Sequence, residues 1–490
     1  MYPHLHFPGT NVVLEAMHLK DGIYDPNLVW HPMGIRYILI FFVSLSIMLF
    51  GVLQFSVVLP ILIASLLNII LIYLLAKEMY DERIALLSAF LLAILPADIF
   101  SSTILEADII MSTFLLAGVW FYYKFKKQRY KPYLFSLVGA FIAIALFIKV
   151  FALLILPIIF LYEIFTELKI KRLVFLGIGF LLVCSPFIIY QYVETRDPLY
   201  NIHVEQNHIY DITYIKENFE PIHQFKPDKN DYFEYLKKVF LPLPLNFKYE
   251  WHDSAKNPTF NVYFYLFVFS LFLFSKFDEK NYLLLLWFFF IFGFLEFYIL
   301  IQKIQRYLLI CLYPLIISIS YFMFYLYRNW SIKHKKTYLV SVIILLFLIS
   351  LMQLGFVTTL DQDKWNEGAE NEKKYPLVFE GLPEKDIYIT SYQTIPLLQF
   401  YFDYKKSYDG PYGFRGETRY KFIDLHEVQD FTEVKNSYVI VEQIYLNIED
   451  EIRYYNKNFS KPLSIPTTWQ PIFIYPDEEG HVMVGIWDVN

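Results

Sequence analysis

Residues 103–123 read TILEADIIMSTFLLAGVWFYY, two carboxylates followed directly by an apolar run. The acids are Glu106 and Asp108, and the run has the length and character of a membrane helix. A charged side chain costs on the order of 2.5–3.5 kcal/mol at the centre of such a helix, and less near the headgroups. The position of both acids at the mouth of the helix therefore predicts chemistry at a membrane surface, on a substrate held in the bilayer.

Composition indicates a polytopic α-helical membrane protein, because 56% of the 490 residues are hydrophobic and several runs approach 20 apolar residues. Both cysteines, Cys184 and Cys311, lie in predicted spans, which argues against a disulfide framework. No basic patch is interleaved with exposed aromatic residues, so nucleic-acid binding is not expected. The polar first 35 residues do not resemble a cleavable signal peptide.

Hydrophobicity predicts about ten transmembrane helices. They lie at 57–78, 84–102, 107–123, 133–148, 151–168, 173–193, 259–275, 281–300, 307–327 and 337–357. Five loops on one side hold sixteen Lys or Arg residues, namely 77–83, 124–131, 169–172, 276–280 and 328–336. The short loops on the other side hold three, so the positive-inside rule predicts that the five basic loops are cytoplasmic.

This topology predicts three regions. Residues 1–56 form an outer loop with juxtamembrane helices, and the apolar stretch 36–53 lies there as a juxtamembrane or re-entrant helix. Residues 57–357 form the transmembrane domain, which includes a long outer loop at 194–258. Residues 358–490 form a soluble extracytoplasmic α/β domain. Its predicted elements are strands at 386–390, 437–441 and 482–487 and a helix at 395–404.

Five short elements occur in an order that a known family shares. They are His31-Pro-Met-Gly34, Glu106-Ala-Asp108, Phe147-Ile-Lys149, Arg196-Asp-Pro-Leu-Tyr200 and Gln305-Arg-Tyr-Leu-Leu309. In this order they resemble the "HPPL" element, the acidic mark of the fourth helix, the "TK" turn, the "GNPLYP" element and the "RYLL" element. These belong to the GT-C membrane glycosyltransferases that use lipid-phosphate sugars, the group of protein O-mannosyltransferases and aminoarabinose transferases. The resemblance covers roughly residues 10–330.

The resemblance implies a reaction. A hexosyl or pentosyl group would pass, with inversion, from a polyprenyl (dolichyl or undecaprenyl) phosphate to a protein, lipid or glycan acceptor outside the cytoplasm. The protein would be integral to the plasma membrane. An acceptor hydroxyl is a poor nucleophile and needs a carboxylate base, and the leaving lipid phosphate needs cations.

Asp108 and Glu106 are the acidic candidates for catalysis, and Asp108 matches the family position better. Acids are also favoured at a helix N-terminus by the dipole, so both could simply cap the helix. Lys149 lies between two apolar helices with almost no loop and requires a partner, either phosphate or a carboxylate. Asp98, after Pro96, is predicted as a cap or turn residue.

Donor binding is assigned to cations and to residues of the matching elements. Arg306 and Lys303 open a late span on the outer side, where they either hold the lipid phosphate or anchor the helix at the interface. Tyr307 and His31 belong to the matching elements and are assigned to the same donor site. Glu296, an acid inside an apolar run, is either a cavity residue or part of a structural bridge.

One family feature has no counterpart here. The family has a first helix followed by an acidic motif, which would fall near Phe7 and Pro8, and neither residue is an acid. Either that helix and acid precede Met1, or the site is rebuilt with Glu15 as base. No cofactor is assigned, and a divalent cation, Mg²⁺ or Mn²⁺, is left open. His203 and His208 do not follow a known metal pattern.

Two other functions are weighed against a glycosyltransferase. One is a catalytically inactive GT-C relative that binds lipid-phosphate sugars, which the absent acid supports. The other is a transporter of a lipid-linked substrate, although the repeated halves and broken helices typical of transporters are not evident.

Overall fold

The computed structural model describes much of the chain up to residue 329 and five strands beyond residue 386. The described parts are 7–20, 22, 36–51, 54–103, 105, 107–200, 202–203, 278–297, 309–329, six residues between 340 and 348, and the five strands. The chain divides into two compact units. One comprises Met1–His4, Ile35–Ile202 and Pro227–Asp363, and the other comprises Leu5–Gly34, His203–Lys226 and Lys364–Asn490.

Eleven α-helices are described, one of them in the second unit. They are α1 (Phe7–Lys20), α2 (Tyr37–Phe50), α3 (Gln54–Met79), α4 (Glu82–Ala93), α5 (Pro96–Ser101), α6 (Ala107–Lys127), α7 (Phe135–Leu146), α8 (Ile155–Phe165), α9 (Ile170–Thr195), α10 (Glu279–Phe297) and α11 (Leu309–Asn329). Within these described residues, three stretches are long and apolar enough to cross a membrane: 55–79 in α3, 170–195 in α9 and 309–328 in α11. The number of ten spans stays a prediction, because spans 259–275 and 337–357 lie wholly or largely outside the described residues.

The predicted span at 84–102 is two helices. α4 is capped by Asp81, whose carboxylate accepts the backbone N–H groups of Arg83 and Ile84, each at 3.0 Å. It ends before Pro96, which opens α5 at a position where its missing N–H is not needed. α2 has 14 residues and is about 21 Å long, too short to cross roughly 30 Å of hydrocarbon, in keeping with the predicted short helix at 36–53.

Two glycines allow α7 and α9 to pack with their backbones in contact. A Cβ atom on Gly139 would meet the Leu176 carbonyl oxygen and lie 2.7 Å from the backbone nitrogen of Phe180. A Cβ atom on Gly179 would overlap the backbone of Ser136. Close approach through small residues is a common basis of helix association in membranes. It fixes α7, and the turn that follows it, against α9.

A buried ionic cluster joins α6, α8 and α9; we call it the Glu163 cluster. Glu163 on α8 accepts a 2.7 Å hydrogen bond from the hydroxyl of Tyr122. The guanidinium of Arg172 lies 3.3 Å from the same carboxylate and the ammonium of Lys126 lies 3.6 Å from it. All four side chains are buried. Lys126 also stacks on the ring of Tyr162, with 4.1 Å from its nitrogen to the ring centroid.

Long-range contacts also join the described helix ends that border three other predicted basic loops. Tyr80 donates a 2.6 Å hydrogen bond to the amide oxygen of Asn281 and stacks on Tyr321, with 4.6 Å between ring centroids. The guanidinium of Arg328 lies 2.8 Å from the carboxylate of Asp81. These contacts bind the turn between α3 and α4 to α10 and α11. We call these helix ends the basic side.

The second unit contains a five-stranded mixed sheet in the order β2-β1-β3-β5-β4. The strands are β1 (Ile387–Thr390), β2 (Lys421–Asp424), β3 (Ser437–Glu442), β4 (Pro471–Pro476) and β5 (Val482–Val489). β1 pairs in parallel with β2 and β3, which requires crossover connections. β5 pairs antiparallel with β3 and β4. The predicted helix at 395–404 lies outside the described residues, so the α/β character of this region stays a prediction.

Candidate functional site

A buried ion pair joins two of the residues singled out from the sequence. The ammonium of Lys149 donates a hydrogen bond of 2.7 Å to Oδ1 of Asp108. Asp108 is 2% exposed and Lys149 is 5% exposed, so the contact is shielded from solvent. The two residues are 41 positions apart, and the interaction therefore depends on the packing of the helices.

Local structure explains how each side chain reaches the pair. Asp108 lies in the first turn of α6, where the helix dipole favours a negative charge. Lys149 follows the C-terminus of α7, and its extended backbone, with φ −161° and ψ 135°, turns the chain toward a short 3-10 helix at Val150–Leu154. Its ammonium lies 5.4 Å from the centroid of the Phe151 ring, so an aromatic side chain covers one side of the cation.

A second set of buried polar side chains lies among α3, α5, α6 and α11. Asp98 on α5 is 3% exposed and accepts a 2.6 Å hydrogen bond from the hydroxyl of Ser65. The amide of Asn68 donates to the hydroxyl of Tyr313 at 3.1 Å and, more weakly, to the carbonyl of Ile109 at 3.4 Å. The predicted cap or turn residue Asp98 thus lies in a helical first turn, and its carboxylate bonds a neighbouring helix.

The arrangement supplies two kinds of chemistry. The carboxylate of Asp108 can accept a proton or a hydrogen bond from a substrate hydroxyl. The ammonium of Lys149 can bind an anionic group such as phosphate. Charges this well buried are expensive unless they are paired, and in a membrane protein they are functional candidates by default.

The other predicted site residues are not brought to this pair by the described part of the chain. Glu106, His31, Lys303, Arg306 and Tyr307 lie outside the described residues. Glu296 lies within α10, but its side chain is not described.

Glu15, the candidate substitute base, lies on α1 in the second unit. Its carboxylate is 3.0 Å from Nδ1 of His18, and both residues are buried. In the described residues, no group of three or more His, Cys, Asp or Glu side chains is arranged to hold a metal ion, and a divalent cation stays an open prediction.

Sequence reasoning missed one buried acid, Glu163, and the buried settings of Asp98 and Asn68. Glu163 is an acid within the predicted span 151–168, a signal that marks an intramembrane acid for attention. Asp98 was identified, but its burial beside Ser65 was not anticipated. Asn68, in the middle of α3, is the only Asn of that helix and is fully buried. A polar residue inside an apolar span was the signal available in each case.

Comparisons with known proteins agree with this architecture. Residues 31–190 match the family profile described as dolichyl-phosphate-mannose-protein mannosyltransferase. The matched stretch contains both members of the Asp108–Lys149 pair. No curated protein sequence matches the chain.

Solved structures share the fold at low sequence identity. ArnT from Cupriavidus metallidurans bound to undecaprenyl phosphate is similar with a TM-score of 0.61 and 13% identity, over 98% of this chain and 93% of ArnT. The apo state of the same protein gives a TM-score of 0.58 at 11% identity. The oligosaccharyltransferase AglB from Archaeoglobus fulgidus, in complex with an inhibitory peptide and a dolichol-phosphate, gives 0.54 at 13% identity, over 90% of this chain and 66% of AglB.

Proposed function

We propose that the chain is a membrane glycosyltransferase of the GT-C superfamily, which transfers a sugar from a polyprenyl phosphate to an acceptor on the extracytoplasmic side. The observation that carries the proposal is the buried pair of Asp108 and Lys149. Asp108 is a carboxylate that can take the proton of the nucleophile. Lys149 is a cation that can neutralise the charge on the leaving phosphate.

Donor binding is the first step. Two of the three similar structures named above hold undecaprenyl phosphate and a dolichol-phosphate, which supports a lipid phosphate as donor here. The donor phosphate competes with the Asp108 carboxylate for the ammonium of Lys149. Once the phosphate takes that ammonium, the carboxylate of Asp108 is released as a free acceptor of protons.

Arg306 and Lys303 are proposed as further phosphate ligands. Arg306 precedes Leu309, the first residue of α11, by three positions, so at most about 11 Å of extended chain separates them. The first turns of α11 carry Tyr313, whose hydroxyl accepts a hydrogen bond of 3.1 Å from the amide of Asn68, and that amide also lies 3.4 Å from the carbonyl of Ile109, the residue after Asp108. A guanidinium within this reach of α11 can add bidentate contacts to the phosphate.

Proton transfer and displacement complete the reaction. Asp108 takes the proton of the acceptor hydroxyl or amine as that atom attacks the anomeric carbon, and the bond from that carbon to the phosphate oxygen breaks. A single displacement of this kind inverts the anomeric centre of the hexose or pentose. Glu106 and Glu15 are the alternative carboxylates for the base. The second unit, with its sheet, is proposed to lie outside the cytoplasm and to contact the acceptor.

The proposal is tested by transfer of labelled sugar. Purified protein is mixed with a panel of polyprenyl phosphate sugars (mannose, glucose and a pentose) and a cell-envelope extract as acceptor. Asp108→Asn is expected to lower turnover by roughly 100-fold or more while leaving donor binding measurable. Lys149→Met is expected to weaken donor binding, because it removes the cation that faces the phosphate.

Glu167→Gln serves as the matched control, since that side chain is 54% exposed and distant in sequence from the pair. Undiminished transfer by Asp108→Asn would exclude Asp108 as the base and direct attention to Glu106 and Glu15. A wild-type protein that binds polyprenyl phosphate sugars but transfers none of the panel would favour the catalytically inactive relative.

A further inference from the structure

The exposed face of α6 is made of aromatic side chains. Between Asp108 and Lys124, every side chain of this helix is buried except Phe114, Trp120 and Phe121, which are partly exposed. The helix is thus enclosed by protein except in the window where these three rings reach the surface. The window lies between the level of the buried ion pair and the basic side.

Rings from two neighbouring helices extend this window into a continuous series. Phe42 of α2 lies 6.2 Å from Phe114, which lies 6.2 Å from Phe141 of α7. Phe141 lies 5.4 Å from Phe121 in a nearly parallel stack, and Phe121 lies 4.5 Å from Trp120. All distances join ring centroids. We call these five residues the aromatic ladder, and each of them is partly exposed.

The ladder differs from the exposed apolar faces of α3 and α9, the two longest described helices. Beyond Phe55 in its first turn, the exposed face of α3 is aliphatic, formed by Ile63, Leu66, Leu67 and Ile70. The exposed face of α9 is also mostly aliphatic, with Ile178, Leu181, Leu182 and Ile189. Mobile acyl chains require no particular side chain beyond an apolar one. A rigid row of half-buried rings therefore indicates a more specific apolar occupant.

We propose that the aromatic ladder binds the isoprenoid tail of the polyprenyl phosphate, an inference that rests on the proposed function. Flat rings with little conformational freedom offer a large apolar area to a branched, unsaturated chain at low entropic cost. On α6, Phe114 lies six residues, about 9 Å along the axis, from Asp108, and Trp120 lies about 18 Å from it. A tail on the ladder thus leaves its phosphate at the level of Lys149.

α2 connects the two sites. Asp108 and Phe114 lie about 120° apart around α6, so the tail runs outside the bundle while the phosphate turns inward. Phe42 on α2 forms the first contact of the ladder. The first residue of α2, Tyr37, lies 6.0 Å from Phe187, which stacks on Phe147 at 4.2 Å, two residues before Lys149. We expect the phosphate headgroup to pass along α2 between the ladder and Lys149.

The test separates tail binding from headgroup binding by chain length. Dissociation constants are measured in detergent for undecaprenyl phosphate and for farnesyl phosphate, which has the same headgroup and too short a tail to cover the ladder. Phe121→Leu/Phe141→Leu is expected to weaken binding of undecaprenyl phosphate roughly tenfold and to leave farnesyl phosphate within about twofold. Leu181→Ala/Leu182→Ala, on the aliphatic face of α9, is the control and should change neither.

The outcomes distinguish this inference from the function on which it rests. If wild-type protein binds neither lipid phosphate, the proposed function fails and the ladder proposal fails with it. If wild-type protein binds both, but the ladder variant loses both equally or neither, the ladder proposal alone is overturned. Photocrosslinking with a diazirine on the tail of undecaprenyl phosphate tests the proposal on the unmutated protein. Crosslinks should map to peptides containing Phe121 or Phe141, and crosslinks confined to α3 or α9 would contradict the proposal.

Discussion

The hydroxyl of Tyr122 on α6 and the carboxylate of Glu163 on α8 are 2.7 Å apart, and two buried cations, Lys126 and Arg172, face the same carboxylate. Removing the anion from a buried ionic cluster costs roughly 3–5 kcal/mol, because the cations are left uncompensated. We expect Glu163→Ala to lower the melting temperature strongly, as measured by thermal unfolding of the detergent-solubilised protein.

Two variants calibrate this prediction. Tyr122→Phe removes only a hydrogen bond to a charged group, worth about 1.5–3 kcal/mol, and should produce a smaller decrease in melting temperature. Glu167→Ala removes an exposed partner of Arg172 and should have an effect below about 1 kcal/mol. A Glu163→Ala protein that melts with the wild type would show that the cluster contributes little to stability.

Asp108 and Lys149 should be energetically coupled. Asp108→Asn and Lys149→Met each leave one buried charge without its partner, whereas the double variant removes both charges. We therefore expect the double variant to be more stable than the sum of the two single effects predicts, with a coupling of about 0.5–3 kcal/mol. Thermal unfolding of the four proteins measures this coupling.

Activity should not follow stability in this series. The double variant regains folding stability but has neither the cation nor the carboxylate, so its transfer activity should stay at the level of the worse single variant. Recovery of sugar transfer along with stability would mean that the pair has a structural role only.

The contact between α7 and α9 should reject any side chain larger than hydrogen. Gly139→Ala and Gly179→Ala place a methyl group against backbone atoms of the facing helix, which cannot move aside without separating the helices. We expect little folded protein by size-exclusion chromatography. Gly177→Ala, on α9 with Gly179, is the matched control, because its methyl group meets no atom within 4 Å. It should be neutral or more stable by up to about 1 kcal/mol.

Asp81 both caps α4 and pairs with Arg328, and the contributions of these two contacts to stability can be measured separately. Asp81 accepts two backbone N–H groups of α4 and also lies 2.8 Å from Arg328, which is 62% exposed. Loss of an N-cap costs about 1 kcal/mol, whereas an exposed ion pair contributes about 0.5 kcal/mol or less. Asp81→Ala should therefore destabilise the protein more than Arg328→Ala does. Equal shifts in melting temperature would assign the stabilisation to the ion pair.

The sequence anticipated features that depend on local pattern. Apolar runs marked most of the described helices, short buried runs marked β1 and β3, and alternation marked β5. β2, with a charged residue at each end, and β4, with a proline at each end, carry weak local signals and were not anticipated. The break between α4 and α5 was also missed, although Pro96 marks it.

The sequence identified individual residues of the site but not the contacts between them. Asp108 and Lys149 were both identified, because each is a charge beside an apolar helix. Their 2.7 Å contact joins residues 41 positions apart, as does the hydrogen bond from Tyr122 to Glu163. No periodicity in the sequence carries such a pairing. It is fixed by how α6 packs against the hairpin of α7 and α8.

The two ionic contacts of α6 hold its two ends in different ways. Its first turn is held by Lys149, through a contact that an incoming phosphate would replace. Its last turns are held by the Glu163 cluster, which no substrate is proposed to enter. Displacement of the first contact would thus leave α6 with ionic contacts at its C-terminal end only. Any movement that accompanies substrate binding should grow along the helix from Lys126 toward Asp108.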